Sequence, residues 1–325
     1  MGRVTHADTQ RMMAYLLGQR ENIAKYWVTV TAGQTHTMQS LGIAAGKSAV
    51  VSWDDGLSNE YTGTATRTHV YASAGTYEVK IYTPENVTVF DLRDGAAVSV
   101  INSADLKLMA NISTFYLNTL PNATITLNSA DMVNWRPNSF QLYTLSNATI
   151  TLNSADMVDW LPSTFNLNTL PNATITLNSA DMVNWRPNSF YLRNLSNATI
   201  TLNSADMVDW LPSTFYLNNL PNATVTIAPS SIKNWATLAE LYLLTGNLTQ
   251  PQADLVLWEV YQIVRTRATG AVRLNIAGNA APSGTFQAAT SCPVTASTPG
   301  KEIAYELLND GCGKGFNKWT TVSTN

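Results

Sequence analysis

The chain has 325 residues, 45% of them apolar and only 13% charged, with a formal net charge of −3. That composition supports a buried core and excludes wholesale disorder. With no cluster of Lys and Arg it carries no footprint for nucleic acid. It has no run of eighteen apolar residues, so no membrane insertion is expected. The opening MGRVTHADTQRMMAYLLGQ shows neither an apolar h-region nor a small-residue cleavage site, so no signal peptide is visible.

Residues 1–27 carry Met12, Met13, Leu16 and Leu17 as an apolar stripe, which predicts an N-terminal helix for packing on the next domain, with docking or oligomerisation as the alternative. Residues 28–95 read as short strands (YWVTVTA, SAVVSW, GTYEVKIYT, ENVTVFDL) broken by Gly, Asp and Ser turns. Within them Trp53-Asp54-Asp55-Gly56 precedes Thr68-His69-Val70-Tyr71 and Gly75-Thr76-Tyr77-Glu78-Val79. This pattern resembles polycystic-kidney-disease-type domains, which implies a small β-sandwich. Asp54 and Asp55 suit a tight turn better than a calcium site.

The dominant signal is an internal repeat over 96–245. Trp135, Trp160, Trp185, Trp210 and Trp235 recur every 25 residues. Asn122, Asn147, Asn172, Asn197 and Asn222 recur with them, each opening an NAT triplet. Odd coils match odd coils, so the copied unit is a pair of coils. In each, Thr-Ile-Thr-Leu alternates as a strand, and Ser-Ala-Asp offers capping oxygens to a turn carrying Met and Trp. Pro137 stops that turn, and Phe140 and Leu142 return apolar mass to the core. One coil cannot cover these side chains, whereas stacked coils can. Stacking predicts ladders of identical residues, the Asn amides satisfying the turn of the next coil.

The same alternation directs Thr124, Thr126 and Asn128 outward, repeated as Thr149, Thr151 and Asn153, as Thr174, Thr176 and Asn178, and as Thr199, Thr201 and Asn203. This regular uncharged face is the candidate binding surface, suited to glycan or protein contact by avidity. Its two Thr columns also invite an ice-binding reading, although Thr is simply a good exposed strand residue.

The segment ITLNSADM, with Leu117 and Leu120 upstream, resembles the core of a leucine-rich repeat, and the Trp-x-Pro-x-x-Phe tail resembles divergent repeats of bacterial and phage surface proteins. The fold class expected is therefore mainly β with some α: a leucine-rich-repeat-like solenoid of about 25-residue coils, flanked by the sandwich and an α/β C-terminal cap at 246–325. A plain β-helix is the structural alternative. The cap holds a predicted helix near 249–268 and two cysteines, Cys292 and Cys312, which form either one disulfide or two thiols. Its arrangement weakly resembles C-terminal modules of phage virion proteins.

Catalytic motifs are missing: His6, His36 and His69 lack metal-ligand spacing, and no nucleophile elbow or phosphate loop occurs. Asp131, Asp156, Asp181 and Asp206 recur in one context, with Asp159 and Asp209, and near-identical coils give no single carboxyl an unlike environment. The Asn-x-Thr and Asn-x-Ser triplets match glycosylation acceptors, but each Asn has a structural use.

The expectation is a non-enzymatic structural or adhesive protein, without cofactors, at a virion or cell surface. Its partners would be other structural proteins, itself as an oligomer or filament, or a surface glycan or protein. A polysaccharide-degrading tailspike is the alternative from another class.

Overall fold

The computed structural model describes residues 22–244, 247–266, 272–309 and 322–323. The chain is mainly β and falls into two compact units: residues 22–137 with 147–149, and residues 138–146 with 150 onward.

Ten strands form the first unit. They are β1 Ile23–Val30, β2 Thr35–Ile43, β3 Ala49–Ser52, β4 Ser58–Tyr61, β5 Thr64–Val70, β6 Gly75–Tyr82, β7 Val87–Asp91, β8 Val98–Asn102, β9 Thr114–Asn118 and β10 Thr124–Asn128. One sheet runs β10-β8-β1-β6-β3-β4 and the other β9-β7-β2-β5. They meet through apolar faces, with Tyr26 edge-on to Phe90 at 5.8 Å. Residues 22–27 were expected to end a helix. From Ile23 on they are instead strand, because Ala24, Tyr26 and Val28 alternate inward with period two. The rest of that predicted helix lies outside the described residues.

Nor is position 95 a break between bodies. β7 pairs in parallel with β9 (Phe90 beside Phe115), and β1 pairs antiparallel with β8. Phe90 and Phe115 stack at 5.8 Å. The N-terminal strands therefore cover the first coil, which would otherwise expose an unpaired edge.

In the second unit each coil supplies two strands. The first sheet takes β12 Ala148–Asn153, β14 Thr174–Asn178, β16 Thr199–Asn203 and β18 Ala223–Thr226. The second takes β11 Ser139–Tyr143, β13 Thr164–Asn168, β15 Ser189–Arg193, β17 Thr214–Asn218, β19 Glu240–Leu244 and β20 Arg273–Asn275. All pairs in the unit are parallel. The segment containing Phe140 and Leu142 is thus a second strand, more regular than its sequence suggests: two inward residues are too few to show a period.

Between the strands lie Met157, Trp160, Phe165 and Leu167 and their repeats, all at 2% exposure or less. Each side chain contributes roughly 1.5–3 kcal/mol by leaving water. Phe165 and Phe190 stack at 5.7 Å, and Trp185 and Trp210 at 6.5 Å. The indole nitrogens of Trp185, Trp210 and Trp235 donate to the carbonyls of Met157, Met182 and Met207 in the preceding coil.

Register differs between the two sheets. The second pairs like with like, Phe165 beside Phe190 and Phe190 beside Phe215. In the first, Thr151 sits beside Thr174 and Asn153 beside Thr176. Its strands are thus displaced by two residues, and the expected straight ladder there is oblique.

The corner after each second-sheet strand has positive φ, at Thr144 (49°), Thr169 (54°), Asn194 (51°) and Asn219 (52°). Its amide donates to the next coil, Thr144 to Asn168 O and Thr169 to Arg193 O. A β-branched residue is strained in this region, while Asn tolerates it.

The last coil is closed by the helix Gln250–Thr266, whose Val256, Leu257, Val260 and Ile263 are buried. Its buried Glu259 accepts from the backbone amides of Ser230 (2.6 Å) and Lys233 (2.9 Å). The helix Gly300–Asn309 packs on it, with its own Ile303 and Leu307 buried. Cys292 is disulfide-bonded, and Cys312 lies outside the described residues.

Thr144→Asn and Thr169→Asn should each raise stability by about 1 kcal/mol in denaturant titrations, because Asn relieves the corner strain. Glu259→Ala should cost about 2 kcal/mol by leaving two amides unmatched.

Candidate functional site

Within each coil, the residues that were candidate cappers divide the labour differently from the sequence reading. Asn128 caps its turn, its Oδ1 accepting from Ala130 N at 3.1 Å, and Asn153, Asn178 and Asn203 do the same. The Asp residues do not cap. Ser103 Oγ donates to Asp131 Oδ2 at 2.6 Å, and Ser154 Oγ to Asp181 Oδ2 at 2.6 Å, each in the following coil. Ser179 treats Asp206 likewise. The same hydroxyls accept from the next coil's backbone, Ser154 from Asn178 N and Ser179 from Asn203 N, both at 2.9 Å. These serines are buried, so the relay is shielded from solvent.

Asn147, Asn172 and Asn197 donate their Nδ2 to Pro121 O, Ser146 O and Pro171 O, at 3.1, 2.9 and 3.0 Å. Asn122 and Asn222 behave alike toward Ala96 O and Ser196 O. The amides therefore reach the preceding coil, not the next one.

Two outer faces remain for contact. On the first sheet Thr124, Thr126 and Thr149 of the first unit are exposed, as are Thr151, Thr174, Thr176, Thr199 and Thr201 of the second, and these outward strand positions are uncharged. Its oblique register makes this lattice skewed. The Asn residues placed on this face keep their side-chain carbonyls on the backbone, so these oxygens are not part of the free polar array.

On the second sheet the outward positions are larger and varied. Tyr191, Tyr216 and Tyr242 form a column with ring centroids 5.9 and 4.8 Å apart. Beside it lie Gln141, Tyr143, Asn166, Asn168 and Arg193. Sequence reasoning missed this face, since Phe-x-Leu-x is too short an alternation to announce a strand.

In the first unit, His69 Nε2 meets Asp55 Oδ2 at 2.7 Å and its ring stacks on Trp53 at 4.8 Å. Asp55 Oδ1 accepts from Leu57 N, and Asp54, at φ 65°, accepts from Glu78 N. Both carboxylates thus hold the turn and its neighbours. His36 is fully buried, its Nε2 2.8 Å from Tyr26 Oη. Burial, with His69 nearby, lowers its pKa to about 4.

Comparison with known protein families, with curated proteins and with solved structures returns no match.

Ser179→Ala should cost about 1–3 kcal/mol by stranding Asn203 N and Asp206, and Ser154→Ala should cost the same within error, whereas Thr176→Ser should cost almost nothing. Because His36 is held below its unfolded value near 6.5, the unfolded chain takes up a proton first as pH falls. Stability should be full above pH 6.5 and decline through about pH 4, by roughly 2 kcal/mol at pH 5. Denaturant midpoints at pH 7 and 5 measure this, and His36→Gln should flatten the difference.

Proposed function

We propose that this chain is a non-catalytic structural or adhesive protein in which a leucine-rich-repeat-like solenoid spaces its flanking modules and presents a repeated face. The observation that carries this reading is the equivalence of the coils. The recurring polar groups of the turn are structural: the Asn side chains cap their own turns, and the Ser–Asp relay joins each coil to its neighbour. A carboxylate bound to a serine hydroxyl in coil after coil has no distinct environment in which to act as an acid. This disfavours the tailspike hydrolase.

The solenoid reading is supported by the parallel strands and by the 3₁₀ turn Ser179–Met182 that follows the Thr-Ile-Thr-Leu-Asn strand. The second strand in each coil brings it nearer a two-sheeted β-helix than the resemblance alone implies. The disulfide at Cys292 suits an oxidising location, as at a cell or virion surface.

Deleting residues 171–220 joins Leu170 to Pro221, the same junction as Leu170–Pro171. The shortened chain should still fold cooperatively, with its stability lowered by the contribution of the two coils removed. Small-angle scattering should show a reduced maximum dimension, and any surface attachment should weaken more than the dimension shrinks. An unfolded deletion would sink the solenoid reading, and a turnover of polysaccharide would sink the non-catalytic one.

A further inference from the structure

We infer that the outer face of the second sheet, around Asn166 and Arg193, is a binding site for an acidic polysaccharide. This deepens the adhesive reading and rests on it. The two coil pairs, 121–170 and 171–220, are identical except at five positions: Gln141 against Tyr191, Tyr143 against Arg193, Thr144 against Asn194, Asn166 against Tyr216, and Thr169 against Asn219. Two of these, 144/194 and 169/219, are the positive-φ corners, where Asn is the better residue. The remaining three are all outward positions of the second sheet. The backbone is the same at both members of each pair, so folding does not ask for the change. Meanwhile the exposed Thr face and the exposed residues 133–134 and 158–159 are unaltered between copies. Apart from the two corners, divergence between these two copies falls on one face, as expected of a surface selected for what it touches.

Chemistry at that face names the occupant. Asn166 lies between Gln141 and Tyr191, and Asn168 between Tyr143 and Arg193. Asn166 is only 8% exposed, and its Oδ1, itself shielded from solvent, has no hydrogen-bond partner among the described residues. A buried amide oxygen without a donor is costly, and a ligand hydroxyl supplies one when the neighbouring Gln141 or Tyr191 side chain turns aside to admit it. Arg193 is exposed and, among the described residues, has no carboxylate partner. The carboxylate of Glu240, also on this face, is already paired with Arg273 at 2.9 Å. The unmet needs are therefore one O–H donor and one anion, separated by about 8 Å from strand spacing and rise. A uronic-acid polymer carries hydroxyls and carboxylates at that separation.

The full-length chain is titrated at low salt with polygalacturonate, with its neutral methyl ester, with alginate and with polyglutamate. Uronate binding is expected, weakened at least about tenfold by methyl esterification and by Arg193→Gln. Asn166→Tyr, which installs the sibling coil's residue and so is sterically tolerated, should weaken it similarly. Thr176→Val on the other face should leave it unchanged. The proposal is overturned if no uronate polymer binds, if the ester binds equally, if polyglutamate binds as well, or if the Arg193 and Asn166 variants bind like wild type. Those failures leave the adhesive reading standing, because the deletion of 171–220 tests it separately.

Discussion

Coil-to-coil adhesion depends on one small unit, the buried serine hydroxyl that donates to an aspartate and accepts from an asparagine amide of the following coil. It fixes the position of a new coil in two directions at once, because both partners belong to one short turn. The hydroxyl is fully buried, so neither bond competes with water. Apolar side chains supply most of the stabilisation, but Leu, Met and Phe would tolerate a sliding stack. The serine does not. With it in place, the Trp indoles meet the preceding carbonyls and the Asn amides meet the preceding turns.

The relay also explains how the ends are finished. Where Asp would follow, the last coil presents Ser231, and the amides of Ser230 and Lys233 turn to Glu259 of the closing helix. A carboxylate from outside the repeat thus replaces the neighbour that is missing. At the other end β1 and β7 supply backbone partners for β8 and β9. Both ends of the coil series are sealed by the flanking sequence, and in each case the seal is a hydrogen-bonding group, with apolar packing behind it.

Much of this was legible in the chain. The 25-residue period, the alternating Thr-Ile-Thr-Leu strand and the inward Trp, Met and Phe follow from patterning alone, because identical copies reinforce a weak signal. The second strand was hidden, since Phe140-Gln141-Leu142-Tyr143 offers two inward positions and no turn residue of its own. The roles of Asn, Ser and Asp were legible as a group and not individually. All three are capping types, and only three-dimensional placement separates the cap within a turn from the bond across to the next. The strand at 23–27 was masked by the methionine and leucine stripe just upstream, which extends a helical pattern past the point where alternation takes over. The outer face of the second sheet shows itself only when the coil copies are compared residue by residue with knowledge of which positions point out.

The uniform junction between coils has a genetic counterpart. Because the segment after Leu170 and the segment after Leu220 begin alike, misaligned recombination between the two copies yields a chain in which every serine, aspartate and corner still meets its customary neighbour. A change in copy number by such a pair would therefore break none of these inter-coil bonds. The outward residues of the second sheet are reshuffled in the same event.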